Sequence, residues 1–283
     1  MAVTARERPA ESGVREVGLV GYCVDTGSNL LMDAFLRALS ARVEAAGGHV
    51  LLFNAPAGAE GVGVYTDLAA RRAVDAFVLA DTVVDDPRHA ALAGFGVPLV
   101  SFGRAPVGGW VDVDGGAATA ELVRGLVALG HRRIGFLGSC TPRAAGVDER
   151  LAGWRRACAD LGVSGEVVWA EEDTVAAGER AALRLLGSRR PPTAIVGVDD
   201  QVAIGALRAG RGEVAVTGFD DSPLAAVAEL TSVRQPIDRI VGELVRLLTT
   251  GGEEHVLLRG EIVARASAPL AARQGRYGKP GYM

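Results

Sequence analysis

A set of aspartates stands where a polar ligand could be bound, each directly after a short apolar segment or at the start of an amphipathic one. The set is spread along the chain: Asp25, Asp81, Asp114, Asp199, Asp200, Asp220 and Asp221. An aspartate between a strand and a helix is also a preferred helix N-cap, and this simpler explanation fits any single member. Because open parallel sheets bind ligands outside the carboxyl ends of their strands, the set as a whole predicts one shared polar site.

The sequence signatures of common enzymes are absent from this chain. It contains no GxxxxGK[ST] phosphate loop, no GxGxxG after the first apolar run, no HExxH and no GxSxG. No histidine has a carboxylate or cysteine partner at ligand spacing, so each is expected to be a surface or structural residue. The histidines are His49, His89, His131 and His255. We therefore predict a binding protein rather than an enzyme, without catalytic residues, cofactor or metal.

Composition and charge exclude several classes of protein. The formal net charge of -4 argues against nucleic acid as a direct partner, because duplex binding depends on neutralising phosphates. No stretch approaches the roughly 20 apolar residues of a membrane helix, and the start of the chain does not resemble a secretory signal. The three cysteines are odd in number and far apart, which suits a reducing compartment. These observations predict a cytoplasmic protein that does not contact a membrane.

Short apolar runs alternate with amphipathic segments from residue 17 onward, a pattern typical of strands and covering helices in a parallel sheet. In the first part of the chain, strands are predicted over residues 17–23, 49–54, 76–80 and 98–103. Helices are predicted over residues 31–46, 64–72 and 87–93. We interpret these elements as one nearly complete lobe.

A second series of the same kind follows. Its helices are predicted over residues 115–129, 148–161, 175–186 and 201–209. Its strands are predicted over residues 133–138, 166–170, 193–198 and 214–219. Two doubly wound α/β lobes in tandem are the simplest interpretation of the chain.

The end of the chain is too short to build a third lobe. It offers an apolar segment at 232–237, a helix at 238–248 and two short strands, which must dock onto the existing sheets. We therefore assign residues 16–129 with 237–253 to an N-terminal lobe and residues 130–236 with 254–270 to a C-terminal lobe. Residues 1–15 and 271–283 are aperiodic and are interpreted as mobile tails.

Five stretches of the sequence carry a resemblance to a known family: LVALGHRRIGFLG, ERLAGW, PPTAIVGVDDQVAIGAL, VAVTGFDDSPLA and LTSVRQPI. Together they resemble the lac repressor and purine repressor (LacI/GalR) family of bacterial transcription regulators, in order, over about residues 17–269. The resemblance implies a periplasmic-binding-protein-like fold of type I, with three crossovers between the lobes. It also implies a homodimer whose core closes on a sugar, nucleoside or related metabolite and thereby changes the affinity for operator DNA.

The resemblance also implies roles for particular residues. Arg150, in ERLAGW, matches an arginine whose fork of donors grips effector hydroxyl or carboxylate groups. Asp173 stands where sugar-binding members often stack an aromatic ring, and Asp221 is expected to be structural. With Asp81, which follows a predicted strand, the candidate effector-binding residues are Asn29, Asp81, Asp114, Arg150, Asp173, Asp199, Asp220 and Gln235.

Two further expectations concern the whole protein. The family begins with a helix-turn-helix segment, whereas only about 16 residues precede the first predicted strand here. This chain is therefore expected to be a sensor core that contacts operator DNA only through a DNA-binding domain it does not contain. The alternative is a solute-binding protein of a sugar-type ABC transporter, which shares the fold but needs export.

Overall fold

The computed structural model describes residues 17–24, 30–56, 58–83, 85–139 and 145–270. Within these ranges the chain forms two compact units. The first unit contains residues 17–24, 34–111 and 238–256, and the second contains residues 30–33, 112–237 and 257–270. The predicted tails, Asp25 and Asn29 lie outside the described residues.

The first sheet has six strands. They are β1 Leu19–Cys23, β2 His49–Phe53, β3 Ala76–Leu79, β4 Leu99–Phe102, β5 Gly109–Val113 and β11 His255–Leu258. Their order across the sheet is β11-β5-β4-β3-β1-β2, and the pairs from β2 to β5 are parallel. The interior strands β1, β3 and β4 are buried over most of their length, and their residues form short, almost continuously apolar runs.

The second sheet repeats this arrangement. Its strands are β6 Ile134–Ser139, β7 Val167–Ala170, β8 Ala194–Gly197, β9 Ala215–Asp220, β10 Thr231–Arg234 and β12 Glu261–Val263. The order is β12-β10-β9-β8-β6-β7, and all pairs are parallel except the antiparallel edge pair of β10 and β12. The predicted fold class, two doubly wound α/β lobes, is confirmed.

The helices cover the sheets with their apolar faces. Within the described residues they are α1 Leu30–Ala45, α2 Val62–Ala70, α3 Pro87–Leu92, α4 Gly115–Ala128, α5 Ala145–Asp160, α6 Val175–Leu186, α7 Asp200–Gly210, α8 Pro223–Val227 and α9 Ile237–Thr250. Two 3-10 turns, Gly58–Gly61 and Ala93–Phe95, adjoin α2 and α3. The largest buried side chains include Phe35 and Phe77 in the first unit and Phe136 and Phe219 in the second.

The structure divides the chain at positions that differ from the predicted boundaries of the lobes. After residue 34 the chain passes from unit to unit at 111/112, 237/238 and 256/257, whereas the prediction placed residues 16–129 and 237–253 in the first lobe. Helix α4 belongs to the second unit because its backbone packs directly against α5. A Cβ atom added at Gly153 of α5 would overlap the carbonyl oxygen of Gly116 in α4, so only glycine permits this approach.

Three elements were not predicted from the sequence, the strands β5 and β10 and the helix α8. Strand β5 follows a segment rich in glycine and proline, and α8 has only five residues. The helix predicted over residues 148–161 ends at Asp160, and Leu161 is exposed. Cys158, near the end of this helix, is buried.

Candidate functional site

Polar side chains meet at the carboxyl edge of the second sheet, where three neighbouring parallel strands end. Asp199 follows β8, Asp220 is the last residue of β9 and Gln235 follows β10. Since β9 pairs with both β8 and β10, the sheet brings these residues to one edge. The Gln235 amide nitrogen Nε2 donates a hydrogen bond of 2.7 Å to Asp220 Oδ1.

Arg150, on the first half of α5, reaches the same edge. Its Nη1 donates a 2.7 Å hydrogen bond to the carbonyl oxygen of Val198, and its Nη2 lies 3.8 Å from Asp220 Oδ1. The guanidinium carbon is 3.7 Å from the ring centroid of Phe219, which is close enough for a cation–π interaction. The Nε atom is buried and donates to no described residue. The arginine is therefore held in a fixed orientation with donor capacity left over.

Asp199 and Asp173 form a pair of carboxyl groups beside this arginine. Asp199 Oδ1 caps α7 by accepting a 2.8 Å hydrogen bond from the Val202 N–H, and only 9% of the residue is exposed. Burial, together with a side-chain hydrogen bond to Asp173, raises the pKa of Asp199 well above its ordinary value. Burial also raises the pKa of Asp220, although Arg150 acts in the opposite direction. This edge of the sheet therefore carries several buried carboxyl groups and one guanidinium group whose hydrogen-bond donors are only partly engaged.

Asp200, which is not among the candidate effector-binding residues, anchors the turn beside them. Its Oδ2 accepts a 2.6 Å hydrogen bond from the Ser222 N–H, and its Oδ1 accepts one of 2.6 Å from the Ser232 hydroxyl. These bonds fix the turn after β9, in which Asp220 and Asp221 adopt φ angles of 103° and 51°. Such angles are unfavourable for residues with side chains, so the turn needs this anchoring. Burial, followed by the charge of Asp220, raises the pKa of Asp200 to about 7.

Asp221 lies in a different environment from Asp220, although the two are adjacent. Its Oδ1 accepts a 2.6 Å hydrogen bond from Arg265 Nη2, and its Oδ2 accepts one of 2.7 Å from Arg234 Nε. Both oxygens are therefore occupied by arginines, as expected of a structural carboxylate.

The remaining candidates take simpler roles or fall elsewhere. Asp114 caps α4, since its Oδ1 accepts a 2.8 Å hydrogen bond from the Ala117 N–H. Asp81 is an exposed residue of the first unit with a φ angle of 50°, and its carbonyl oxygen accepts a hydrogen bond of 3.3 Å from Arg88. Asn29 lies outside the described residues.

An arginine also lies at the carboxyl edge of the first sheet, after β3. Arg88 pairs with Asp86 through Nε and through Nη2, the latter at 2.6 Å from Asp86 Oδ2. Its Nη1 donates to the Tyr65 hydroxyl at 3.2 Å, and its Nη2 also donates to the Ala80 carbonyl at 3.0 Å. Burial acts to raise the pKa of Asp86, but the bonds from Arg88 outweigh it and the pKa is lowered. The hydrogen-bond donors of Arg88 are therefore all engaged by neighbouring acceptors in the first unit.

The histidines occupy structural or surface positions. His89 is buried and shares a 2.8 Å hydrogen bond with the Ser101 hydroxyl, and burial lowers its pKa. His131 Nδ1 lies 2.9 Å from the Thr193 hydroxyl, and His255 stacks on Trp110. His49 is exposed at the start of β2. In the described part of the chain no three side chains are arranged to hold a metal ion.

Two doubly wound sheets, one of which gathers carboxylates, an amide and a guanidinium at its carboxyl edge, define a small-molecule binding protein of the periplasmic-binding-protein-like class. A family model for the periplasmic binding protein-like domain matches residues 123–268. Among solved structures, a regulatory protein of the LacI family from Chloroflexus aggregans is 31% identical, with a TM-score of 0.79. That comparison covers 89% of this chain and 99% of the other.

Named relatives point to the same family. The regulator MalR of Streptomyces coelicolor is 31% identical over 98% of this chain and 88% of its own length. A structure of the transcriptional regulator CelR in complex with cellobiose is 27% identical with a TM-score of 0.80, covering 90% of this chain and 86% of that one. The chain belongs to the LacI family of transcriptional regulators. These relatives are regulators rather than enzymes, and no helix in the described ranges is long and apolar enough to cross a membrane.

Proposed function

We propose that this chain is the effector-sensing part of a transcriptional regulator and that it binds a small polyhydroxylated ligand, of the sugar class, at the carboxyl edge of the second sheet. We also propose that ligand binding is coupled to the binding of operator DNA. The ligand would change operator affinity through closure of the two units, with a DNA-binding domain making the contacts to DNA.

The observation that carries this proposal is the arrangement of Arg150, Asp220 and Gln235. Asp220 accepts from Gln235 while Arg150 lies beside it, so donors and acceptors alternate over a few ångströms. Vicinal hydroxyl groups of a sugar need this alternation, because each hydroxyl both donates and accepts. A carboxylate and a planar guanidinium each bind two such groups at once.

The relatives support the sugar class. One structural relative is a complex with cellobiose, and the lactose operon repressor of Klebsiella pneumoniae is 32% identical over 54% of this chain. Since the relatives are transcriptional regulators, the alternative of a solute-binding protein of a transporter is not favoured.

The test is a thermal-shift panel of monosaccharides, disaccharides and nucleosides. A ligand at about 100 times its dissociation constant stabilises the folded protein by ~2.7 kcal/mol, which a melting curve detects readily. We expect at least one sugar to raise the melting temperature of the unmodified chain but not of Asp220→Asn. The control is Asp160→Asn, an exposed aspartate at the end of α5, which should respond like the unmodified chain. A ligand that stabilises Asp220→Asn equally well binds elsewhere and contradicts the proposed site.

We also propose that the chain is a homodimer, as the family resemblance implies. Helix α8 offers an exposed apolar surface, since Val227 is 85% exposed and Leu224 is 43% exposed. Val227→Asp should shift the sedimentation coefficient toward that of a monomer, whereas Leu183→Asp on α6 should leave it unchanged. A monomer at tens of micromolar for the unmodified chain would contradict this proposal.

A further inference from the structure

The carboxyl edge of the second sheet holds more buried negative charge than one arginine balances. Three carboxyl groups belong to the cluster, those of Asp173, Asp199 and Asp220, which line the same small cavity. Among the described ion pairs, the one that reaches them joins Arg150 Nη2 to Asp220 Oδ1 at 3.8 Å, while Nη1 is engaged by a carbonyl oxygen. Asp173 and Asp199 are left without a cation of their own.

Asp173 and Asp199 line the same small cavity, and burial first and the neighbouring Asp173 carboxyl group second raise the pKa of Asp199 well above its ordinary value. Two carboxyl groups can hydrogen-bond to each other only when one of them is protonated, because an ionised carboxylate has no donor. The Asp173 Oδ1 atom is buried and accepts no hydrogen bond from a described N–H or hydroxyl group. Asp199 receives a single hydrogen bond there, from the Val202 N–H. Asp199 therefore holds its proton more tightly than an ordinary aspartate does, and a positively charged donor of a ligand could displace that proton.

The space at this pair fits a single small donor group. Asp173, Asp199 and Asp220 line a cavity of about 20 Å³, whereas one water molecule needs roughly 10–15 Å³ measured in this way. A hydroxyl group of that size brings one donor and no charge. An ammonium group brings three donors and a positive charge, and so satisfies both carboxylates without a shared proton.

We propose that the effector carries a protonated primary amine, as an amino sugar or a related amino polyol does, and that its ammonium group binds between Asp173 and Asp199. Arg150, Asp220 and Gln235 bind its hydroxyl groups. This inference rests on the proposed function of the same edge. The charge balances in a simple way: as the ammonium group enters, the O–H bond of the Asp199 carboxyl group breaks and its proton leaves to solvent water, and no other covalent bond changes.

The test compares matched ligands that differ in one group. The pairs are glucosamine with glucose and galactosamine with galactose, and N-acetylglucosamine serves as the uncharged amide control. Calorimetric titration of the full chain at neutral pH should show the amine binding at least about tenfold more tightly than its hydroxyl partner in at least one pair. Titration in two buffers of different ionisation enthalpy should show about one proton released for each amine bound.

Two variants assign the preference to the carboxyl pair. Asp199→Asn should bring the amine and hydroxyl partners to nearly equal affinity and abolish the proton release. Asp173→Asn should do the same, and because Asp173 does not cap α7, this variant serves if Asp199→Asn unfolds. Asp160→Asn is the matched control and should keep both the preference and the proton release.

The outcomes separate this inference from the proposed function. A neutral sugar that binds as tightly as its amine, and loses affinity in Asp220→Asn, overturns the amine inference and leaves the sugar-sensing function standing. An amine preference that survives in both Asp199→Asn and Asp173→Asn also overturns it. If no amine member of the pairs binds, the amine inference fails; if the wider sugar panel is silent as well, the proposed function fails with it.

Discussion

The two units place an arginine at the carboxyl edge of a parallel sheet, but the two arginines have different surroundings. Arg88 in the first unit faces one carboxylate, Asp86, and its three terminal nitrogens all donate to described acceptors. Arg150 in the second unit lies beside a cluster of three carboxyl groups, makes one close hydrogen bond and leaves Nε without a partner. We call the Arg88 cluster the closed group, because the guanidinium nitrogens of Arg88 all have described acceptors. We call the Arg150 cluster the open group, because some of its donors and acceptors have no described partner.

This difference shows how one topology can serve stability in one place and binding in another. The pKa of Asp86 is lowered because Arg88 outweighs the effect of burial. Burial and neighbouring carboxylates raise the pKa values of Asp199 and Asp220, and in the case of Asp220 burial outweighs the opposite effect of Arg150. A balanced pair stabilises the unliganded fold, while under the proposed function the unbalanced group gains its partners when a ligand binds.

The largest expected effect would break the closed group. Arg88→Ala leaves the buried Asp86 carboxylate without its partner, so we expect the free energy of unfolding of the first unit to fall by about 3–5 kcal/mol. Urea unfolding measures it. The control is Arg71→Ala, which removes an exposed ion pair with Asp67 and should cost less than about 1 kcal/mol. A loss for Arg88→Ala as small as that of the control would contradict the description of this group as a structural one.

A smaller effect tests the anchor of the open group. The folded pKa of Asp200 is about 7 against an ordinary value of 3.8, so the folded state holds a proton that the unfolded state loses. Its contribution to stability is complete below about pH 4 and is lost as the pH rises through 7. Asparagine does not titrate, so Asp200→Asn should not show this loss of stability at high pH. The free energy of unfolding of Asp200→Asn minus that of the unmodified chain should therefore be larger at pH 8 than at pH 5, by about 1 kcal/mol or more.

Urea unfolding at the two pH values measures this difference, and Asp160→Asn is the control that should follow the unmodified chain throughout. Equal pH dependence in Asp200→Asn and the unmodified chain would show that Asp200 is ionised in the folded protein and does not titrate near neutrality.

The smallest effect concerns the ring beneath Arg150. Phe219→Leu keeps an apolar side chain but removes the cation–π contact, so the affinity for the ligand should fall by about 0.5–1 kcal/mol, or roughly two- to fivefold. Phe136→Leu is the matched control, because Phe136 is equally buried but packs against Trp154 instead. Titration of both should show a loss of affinity in the first only. An equal loss in both would assign the effect to general loosening of the unit.

Most of the fold was predictable because its signals are local and repeated. The alternation of apolar runs with amphipathic segments fixed the positions of ten strands and eight helices to within a few residues. Strand β5 has no comparable signal, since it is only five residues long and includes the charged Asp112. The boundary at residues 111/112 depends on the close approach of Gly116 and Gly153, which are 37 positions apart and carry no pattern that links them.

The residues of the candidate site could be predicted from the sequence, but the hydrogen bonds and backbone angles that hold them in place could not. Strand ends placed Asp199 and Asp220, and the family resemblance added Arg150, Asp173 and Gln235. The role of Asp200 was not predictable, because it depends on hydrogen bonds to Ser222 and Ser232, 22 and 32 residues away. Nor does a sequence show that Asp220 adopts a φ angle of 103°, which is what makes the anchor necessary.

The central claim is that Arg150 acts on a ligand whereas Arg88 acts on the fold. Calorimetric titration of Arg150→Ala and Arg150→Lys, with the sugar or amino sugar that the panel identifies, tests it most directly. The control is Arg155→Ala, an exposed arginine of the same helix. The account predicts that Arg150→Ala loses about 2–4 kcal/mol of binding free energy and that lysine restores little of it, because an ammonium group cannot reproduce the fork.

Melting curves of the unliganded proteins complete this measurement. Arg150 donates to the Val198 carbonyl and packs on Phe219, so some stability should be lost in Arg150→Ala, but less than in Arg88→Ala. Affinity that is unchanged in Arg150→Ala, combined with a fall in melting temperature as large as that of Arg88→Ala, would make Arg150 a structural residue and contradict the account.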